Sequence, residues 1–392
     1  MRFLHLLAFL LLPFTASADV KDKIAALSPK ALVLAVDEQG HELVAQNADA
    51  PFVPASVAKI VTAWLAMQVL GPDYRFETRF YLDADRKLYI KGGGDPFLIS
   101  EELGPLAQDL VAKIGRDPIS GIVVDGGYYP ADLAIPGIEK DALSYNAANT
   151  ALAVNFNTIS AARSGDVVRP GEPQTPLTPL AISQFRARGP NGAGRISLSE
   201  TPELGELYAG ELIAAFLEKA GGSVKGEVTL GAVPAGLDPV YVHQQSRPLR
   251  EIIIDLTTSS NNYIANQVFL EIGAHKLGAP VSLDKSLKVL DEALAAQGLT
   301  NDIHLLEGSG ISRDDRFTAR GLAKILALFA PNARLLRGHD GGLDKTGTMD
   351  GVRTLAGYAD TKKHGRLRFV ISAPGNDGAL RFRLLKLLET QL

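Results

Sequence analysis

The sequence predicts an α+β fold whose antiparallel sheet is built from both ends of the chain. Three observations carry that expectation. An apolar, β-branched run at 31–37 is followed by Glu38-Gln39-Gly40 and a second short run at 41–45, the pattern of a hairpin. A second such pair, 352–358 and 366–372, lies near the other end, joined by a polar segment at 361–365. Between 249 and 330 the apolar residues recur at helical spacing instead. Strands at both ends with helices between them place the first and last strands in one sheet.

The first 18 residues are of a different kind. Arg2, an apolar run at 3–12 and Ala16-Ser17-Ala18 form the pattern that a signal peptidase accepts, with cleavage expected before Asp19. The rival, a membrane anchor, needs ~20 apolar residues to span a bilayer, and no second such run follows, so release is expected and no span remains. After the first hairpin, residues 56–69 carry Val57, Ile60, Val61, Trp64, Leu65 and Met67 around much of a helix surface, which predicts a buried helix ending at Gly71-Pro72.

From 76 the texture changes to short alternating runs broken by glycine and proline, such as 76–82, 87–90, Gly92-Gly93-Gly94-Asp95-Pro96 and 121–125. The polar, proline-rich passage 168–194 shows little periodicity and is expected to be irregular. A helix starts at Thr201-Pro202-Glu203 and runs to about Ala220, followed by a strand at 225–230. Residues 76–242 are read as a large, mainly β-containing insertion without internal repeats, dividing a second unit into 19–75 and 243–392.

Helical patterns then return at 249–257, at 260–273 with Ile264, Val268 and Ile272, and at Leu283, Leu287, Leu290 and Leu294. Leu322, Ile325, Leu326 and Phe329 mark another helix, with Thr318 as its N-cap. A short run at 341–347 precedes the second hairpin. The closing helix, 379–390, sets Arg381, Arg383 and Lys386 beside leucines. Docking on the preceding hairpin is expected, with membrane-surface binding as the alternative.

Composition excludes several chemistries. A formal charge of −4 without a basic run argues against nucleic acid. Zero cysteine removes disulfides, thiolate metal sites, a cysteine nucleophile and a lipid-modified cysteine. The seven histidines never stand at metal-ligand spacing, so neither a metal nor another cofactor is expected.

The chemistry rests on Pro54-Ala55-Ser56-Val57-Ala58-Lys59. Three residues apart on a helix, Ser56 and Lys59 share a face, and the amine reaches the hydroxyl as a base reaches a nucleophile. Ser-x-x-Lys alone is expected about once by chance in such a chain, and it recurs at Ser282–Lys285. Two further motifs follow. Ser260-Asn261-Asn262 opens a predicted helix, and Lys345-Thr346-Gly347 lies on a predicted strand. Ser144-Tyr145-Asn146 and Ser259-Ser260-Asn261 also fit Ser-x-Asn, but joint occurrence in this order is the signature of penicillin-interacting enzymes.

On these motifs the chain resembles the low-molecular-mass class C penicillin-binding proteins, the D-alanyl-D-alanine carboxypeptidase and endopeptidase family. Gly93-Gly94-Asp95-Pro96, Asn155-Phe156-Asn157, 246–249, Gly308-Ser309-Gly310-Ile311-Ser312-Arg313 and Lys345-Thr346-Gly347-Thr348 through Gly357-Tyr358 extend the resemblance over most of the chain. It implies a penicillin-binding/β-lactamase-like transpeptidase fold, an antiparallel sheet flanked by helices, in an exported, periplasmic protein. It also implies peptidoglycan stem peptides and cross-links as substrates, with β-lactams as covalent inhibitors. Ser56 is expected as nucleophile, Lys59 as base and Ser260 as proton relay. Asn262 is expected to hold a substrate carbonyl. Lys345 and Thr346 are expected to bind the substrate carboxylate, Gly347 to leave room along the strand, and Ser56 and Thr348 to give oxyanion N–H groups. Lys345 is also expected to lower the affinity of Lys59 for its proton. Two departures stand out. Thr258 occupies a position where the family has lysine, and the interval from Lys59 to Ser260 is short, with 168–194 as the expected place of a reduced subdomain. A serine β-lactamase, an esterase and a non-catalytic peptidoglycan-binding protein are the rival readings. Ser309, flanked by glycines and lacking a motif-linked base, is expected to form a turn.

Overall fold

The computed structural model describes residues 19–392. The expected leader, 1–18, lies outside the described residues. Helix α1 (Val20–Leu27) leads into the first hairpin, β1 (Leu32–Val36) and β2 (Glu42–Gln46). Every residue of β1 is buried, because both faces of this strand are covered. A 3₁₀ turn over Ala55–Ala58 then enters α2 (Lys59–Val69), whose first eight residues are all buried. The α-helix expected from 56 therefore begins one turn later. Ala55 takes a left-handed φ of 48°, and the chain winds more tightly before it relaxes into α geometry.

The middle of the chain builds a second sheet from β3 (Glu77–Leu82), β4 (Lys87–Lys91), β5 (Gly121–Asp125), β9 (Val228–Leu230) and β10 (Tyr241–Gln244). Its order is β10-β3-β4-β5-β9, and β10 straddles the expected boundary at 242. β4, β5 and β9 are parallel, so each connection must cross the sheet; α3 (Ser100–Ile114) and α5 (Pro202–Lys219) lie in those connections. Leu103, Leu106, Leu110, Tyr208 and Leu212 pack them into one core with the sheet.

The passage expected to be irregular is ordered, and that expectation is corrected. It holds β7 (Val167–Pro170), α4 (Pro179–Arg188) and the start of β8 (Gly192–Ser197), which flank β6 (Thr158–Ser164) or pack on it. Thr178 Oγ1 accepts from Ala181 N–H at 3.2 Å and caps α4. Only Ala181 and Phe185 of this helix are buried, which is why it shows no apolar period.

The chain then forms α6 (Leu249–Ser259), α7 (Asn262–Leu277), α8 (Leu283–Ala296), the two-residue strands β11 (Ile303–His304) and β12 (Arg316–Phe317), and α9 (Ala319–Phe329). Three strands close the first sheet: β13 (Leu343–Met349), β14 (Val352–Thr361) and β15 (Gly365–Pro374). Its order is β13-β14-β15-β1-β2, antiparallel throughout, with Leu32 opposite Ser372 and Val36 opposite Arg368. The period of two divides β1 between cores. Leu32, Leu34 and Val36 join the core that includes residues of α2, α7 and α9, whereas Val33 and Ala35 join one with α1 and α10 (Leu380–Gln391). Leu380, Leu384 and Leu388 are buried there, each worth about 1.5–3 kcal/mol on full burial, so α10 is docked on the hairpin. No helix among the described residues is long and apolar enough to cross a membrane.

Candidate active site

Three regions meet at Ser56: the 3₁₀ turn that carries it, strand β13, and the turn at 308–310. Ala55 in left-handed conformation costs roughly 1–2 kcal/mol. Packing supplies the compensation. Thr354 on β14 donates from Oγ1 to Pro54 C=O at 2.7 Å. β13 lies so close that a Cβ on Gly347 would stand 2.1 Å from Thr354 Oγ1, 2.7 Å from Pro54 O and 3.0 Å from Ser56 N. The turn that carries Ser56 thus itself requires the glycine.

Lys59 is fully buried. Its Nζ lies 3.0 Å from Ser56 Oγ, 2.8 Å from Asn262 Oδ1 and 2.8 Å from the Ser309 carbonyl. A neutral amine has two N–H donors and one lone pair. Asn262 Oδ1 and Ser309 O are pure acceptors and take the two donors, which leaves the lone pair for the Ser56 O–H. Burial holds the ammonium form well below its ordinary stability, and the positive Lys345 is the second cause; Glu307 opposes both.

Lys345 is 3% exposed and donates to Thr346 C=O at 3.0 Å. Burial pushes its pKa down to about 8, against the Asp344 carboxylate and with the help of Arg381. Thr346 is half-buried and Thr348 exposed. Arg381 reaches this strand from α10. Its Nη1 donates to Gly347 C=O at 2.6 Å, Thr348 Oγ1 at 3.1 Å and Thr354 C=O at 3.2 Å. Nothing in the sequence motifs pointed to it.

Ser260 and Asn262 sit at the junction of α6 and α7. Ser260 is left-handed, at φ 57° and ψ 30°, and Asn261 caps α7 by accepting from Ile264 N–H at 3.2 Å. That leaves Asn262 free to take Lys59 on Oδ1 and to donate from Nδ2 to Tyr145 C=O at 3.1 Å. The Ser260 side chain makes no hydrogen bond among the described residues, so the structure brings it to the junction without a hydrogen bond to Ser56 or Lys59. Thr258 is exposed and donates to Ile254 C=O within its own helix.

The competing matches have other employment. Lys285 Nζ donates to Gly278 and Pro280 carbonyls, each at 2.7 Å. Ser259 donates to Asp255 C=O. Ser144 lies in an exposed 3₁₀ turn whose next residue supplies the Tyr145 carbonyl. Ser309 has a carboxylate at hand, with Oγ 2.7 Å from Glu307 Oε2, and it is 0% exposed. Its carbonyl accepts from Lys59 Nζ. The family signpost Asn155-Phe156-Asn157 holds three successive left-handed residues, a conformation asparagine tolerates better than most.

A family model described as D-Ala-D-Ala carboxypeptidase 3 (S13) matches residues 20–189 and 189–338. The chain is 28% identical over 412 aligned positions to the D-alanyl-D-alanine carboxypeptidase of Actinomadura sp. (strain R39), covering 86% of this chain and 76% of that protein. It is 23% identical over 427 positions to the D-alanyl-D-alanine carboxypeptidase DacB of Haemophilus influenzae, covering 92% and 88%. The crystal structure of penicillin binding protein 4 from H. influenzae shares the fold at a TM-score of 0.74 and 19% identity, covering 96% of this chain and 100% of that one. The penicillin G acylated form of a predatory endopeptidase from Bdellovibrio bacteriovorus shares it at 0.52 and 17%, covering 91% and 90%. The family match ends at 338, before β13.

Proposed function

The chain belongs to the D-Ala-D-Ala carboxypeptidase 3 (S13) family and is a serine-type DD-carboxypeptidase, and from that premise we propose that Ser56 is its nucleophile and Lys59 the base. The observation that carries this reading is the seat of Lys59, a buried amine whose two N–H groups have acceptors and whose lone pair is left to Ser56. Ser56 Oγ attacks the carbonyl carbon of the penultimate D-alanine as its proton passes to Lys59 Nζ. The C–N bond then breaks, the leaving D-alanine amine takes a proton relayed by Ser260, and an ester remains on Ser56. Water hydrolyses that ester and the hydroxyl is restored.

Lys345 and Thr346 would receive the terminal carboxylate, which suits a positive charge beside a hydroxyl. Asn262 would hold a backbone carbonyl of the peptide from its side-chain amide. The N–H groups of Ser56 and Thr348 would stabilise the oxyanion, and Gly347 lets the strand that carries Thr348 approach Ser56 N. The substrates on this reading are peptidoglycan stem peptides and, where the leaving amine belongs to a second peptide, cross-links. The site then lies on the extracytoplasmic, periplasmic side. Residues 19–75 and 243–392 form the catalytic unit, and 76–242 the inserted one.

Incubation with a fluorescent penicillin, which mimics the terminal dipeptide, tests the assignment. The wild type is expected to carry the label covalently and to release D-alanine from a stem pentapeptide. Ser56→Ala is expected to do neither. Equal labelling of the two proteins would end this reading.

A further inference from the structure

Glu307 is fully buried immediately before the 308–310 turn. Its Oε2 accepts from Ser309 N–H and Ser309 O–H, each at 2.7 Å, and its Oε1 from Ile311 N–H at 2.7 Å and Ser312 N–H at 3.4 Å. All four donors are neutral, and each aims its hydrogen at the carboxylate. They bend residues 308–312 around a single anchor. Asn266 Oδ1, one helical turn beyond Asn262 on α7, accepts Gly308 N–H at 2.7 Å and ties the turn to the same helix.

The turn so held faces the nucleophile. Its Gly308 carbonyl accepts from Thr62 Oγ1 at 2.6 Å, and its Ser309 carbonyl from Lys59 Nζ at 2.8 Å. Gly310, at φ +77°, lies so close that a Cβ there would stand 2.1 Å from Ala55 O and 2.7 Å from Ala58 Cβ. Glu307 is therefore two bonded contacts away from the amine of Lys59, through Ser309, and its charge acts on that amine through a buried interior.

We propose that Glu307 is a positioning residue of the acylation machinery: it fixes the 308–312 turn so that the Ser309 carbonyl holds one N–H of Lys59, and its negative charge counters that of Lys345 across the amine. The proposal rests on Lys59 being the base. The charged groups around this centre come from two sides. Lys345 on β13 favours the neutral amine, and behind it stand Asp344 and Arg381. Glu307 favours the ammonium, and behind it stands Asp315, whose carboxyl is pushed up to about 8 by burial and by the charge of Glu307.

The test is the pH profile of acylation by a fluorescent penicillin, measured with a thermal melt for Glu307→Gln and Glu307→Asp in the full chain. Acylation rises with pH as Lys59 loses its proton. Removing the Glu307 charge removes what favours that proton, so in Glu307→Gln the rising limb is expected to move to lower pH by at least about half a unit. Its plateau is expected to fall at least about tenfold as the Ser309 carbonyl shifts. Glu307→Asp keeps the charge, so its limb is expected to stay while its plateau falls. A purely structural role lowers the melting temperature or the plateau and leaves the limb in place. A folded Glu307→Gln protein with the wild-type limb overturns the proposal. If Glu307→Gln does not fold, a wild-type plateau in Glu307→Asp overturns it instead. Labelling of Ser56→Ala would sink the underlying mechanism whatever Glu307 does, so the two failures are distinct.

Discussion

At the scale of single residues, two lysines with different proposed tasks share one interior. As a base Lys59 would have to be neutral, and to attract a carboxylate Lys345 would have to be charged. With its pKa lowered to about 8, Lys345 keeps its charge at neutral pH and loses it above that value. For a substrate ending in a carboxylate, kcat/KM is therefore expected to fall as pH rises through about 8, because it reports the free enzyme. The bound carboxylate favours the ammonium, so kcat should hold to higher pH. Steady-state release of D-alanine across this range measures both, and a kcat/KM that stays flat well above pH 8 would remove Lys345 from carboxylate recognition. The sequence offered Ser56, Lys59, Asn262 and Lys345 through spacing and order. It did not offer the Ser309 carbonyl or Glu307, because a backbone oxygen has no letter of its own and a glutamate before Gly-Ser-Gly reads as an ordinary loop residue. Asn266, four residues after Asn262 on a helix that also buries Gln267 and Glu271, was one legible clue that α7 meets polar partners.

At the scale of elements, helices and strands with a clear period were readable, and those defined by geometry were not. The hairpins, α7, α8, α9 and α10 follow from apolar spacing. α3 shows that spacing too, in Leu103, Leu106, Leu110 and Val111, but Gly104-Pro105 near its start reads as a turn. The 3₁₀ turn under Ser56 depends on Ala55 adopting a conformation that alanine disfavours, which only the surrounding contacts impose. The α6–α7 junction poses the same problem at Ser260. There the left-handed backbone and the hydroxyl are separable. Ser260→Gly relieves the backbone and removes the hydroxyl, whereas Ser260→Ala removes the hydroxyl and keeps the strain. If the hydroxyl relays a proton, both variants should acylate at least about 100-fold more slowly than the wild type. Should Ser260→Gly acylate at the wild-type rate, Ser260 is a hinge and no relay.

At the scale of the whole molecule, the last helix reaches the strand that carries Lys345. Arg381 is 9% exposed, carries three hydrogen bonds to β13 and β14 on one nitrogen, and lies more than 300 residues from Ser56 in sequence. Arg381→Met should fill much of the same volume and lose the bonds, and acylation is expected to fall roughly 10- to 100-fold with a smaller loss of melting temperature. Wild-type acylation in that variant would make the arginine a fold residue only. The broad architecture was readable because both chain ends carry strand patterns; the link from α10 to the catalytic strand was not, since Arg381 looks like one of several basic residues on an amphipathic helix. The closing of the sheet by β15 on β1 also orders events in time. A chain emerging from its N-terminus possesses Ser56 and Lys59 long before residues 343–392 exist, and until they arrive it has neither the strand proposed to receive a carboxylate nor the arginine bonded to that strand. On the proposed mechanism, a copy that lacks those residues is disarmed.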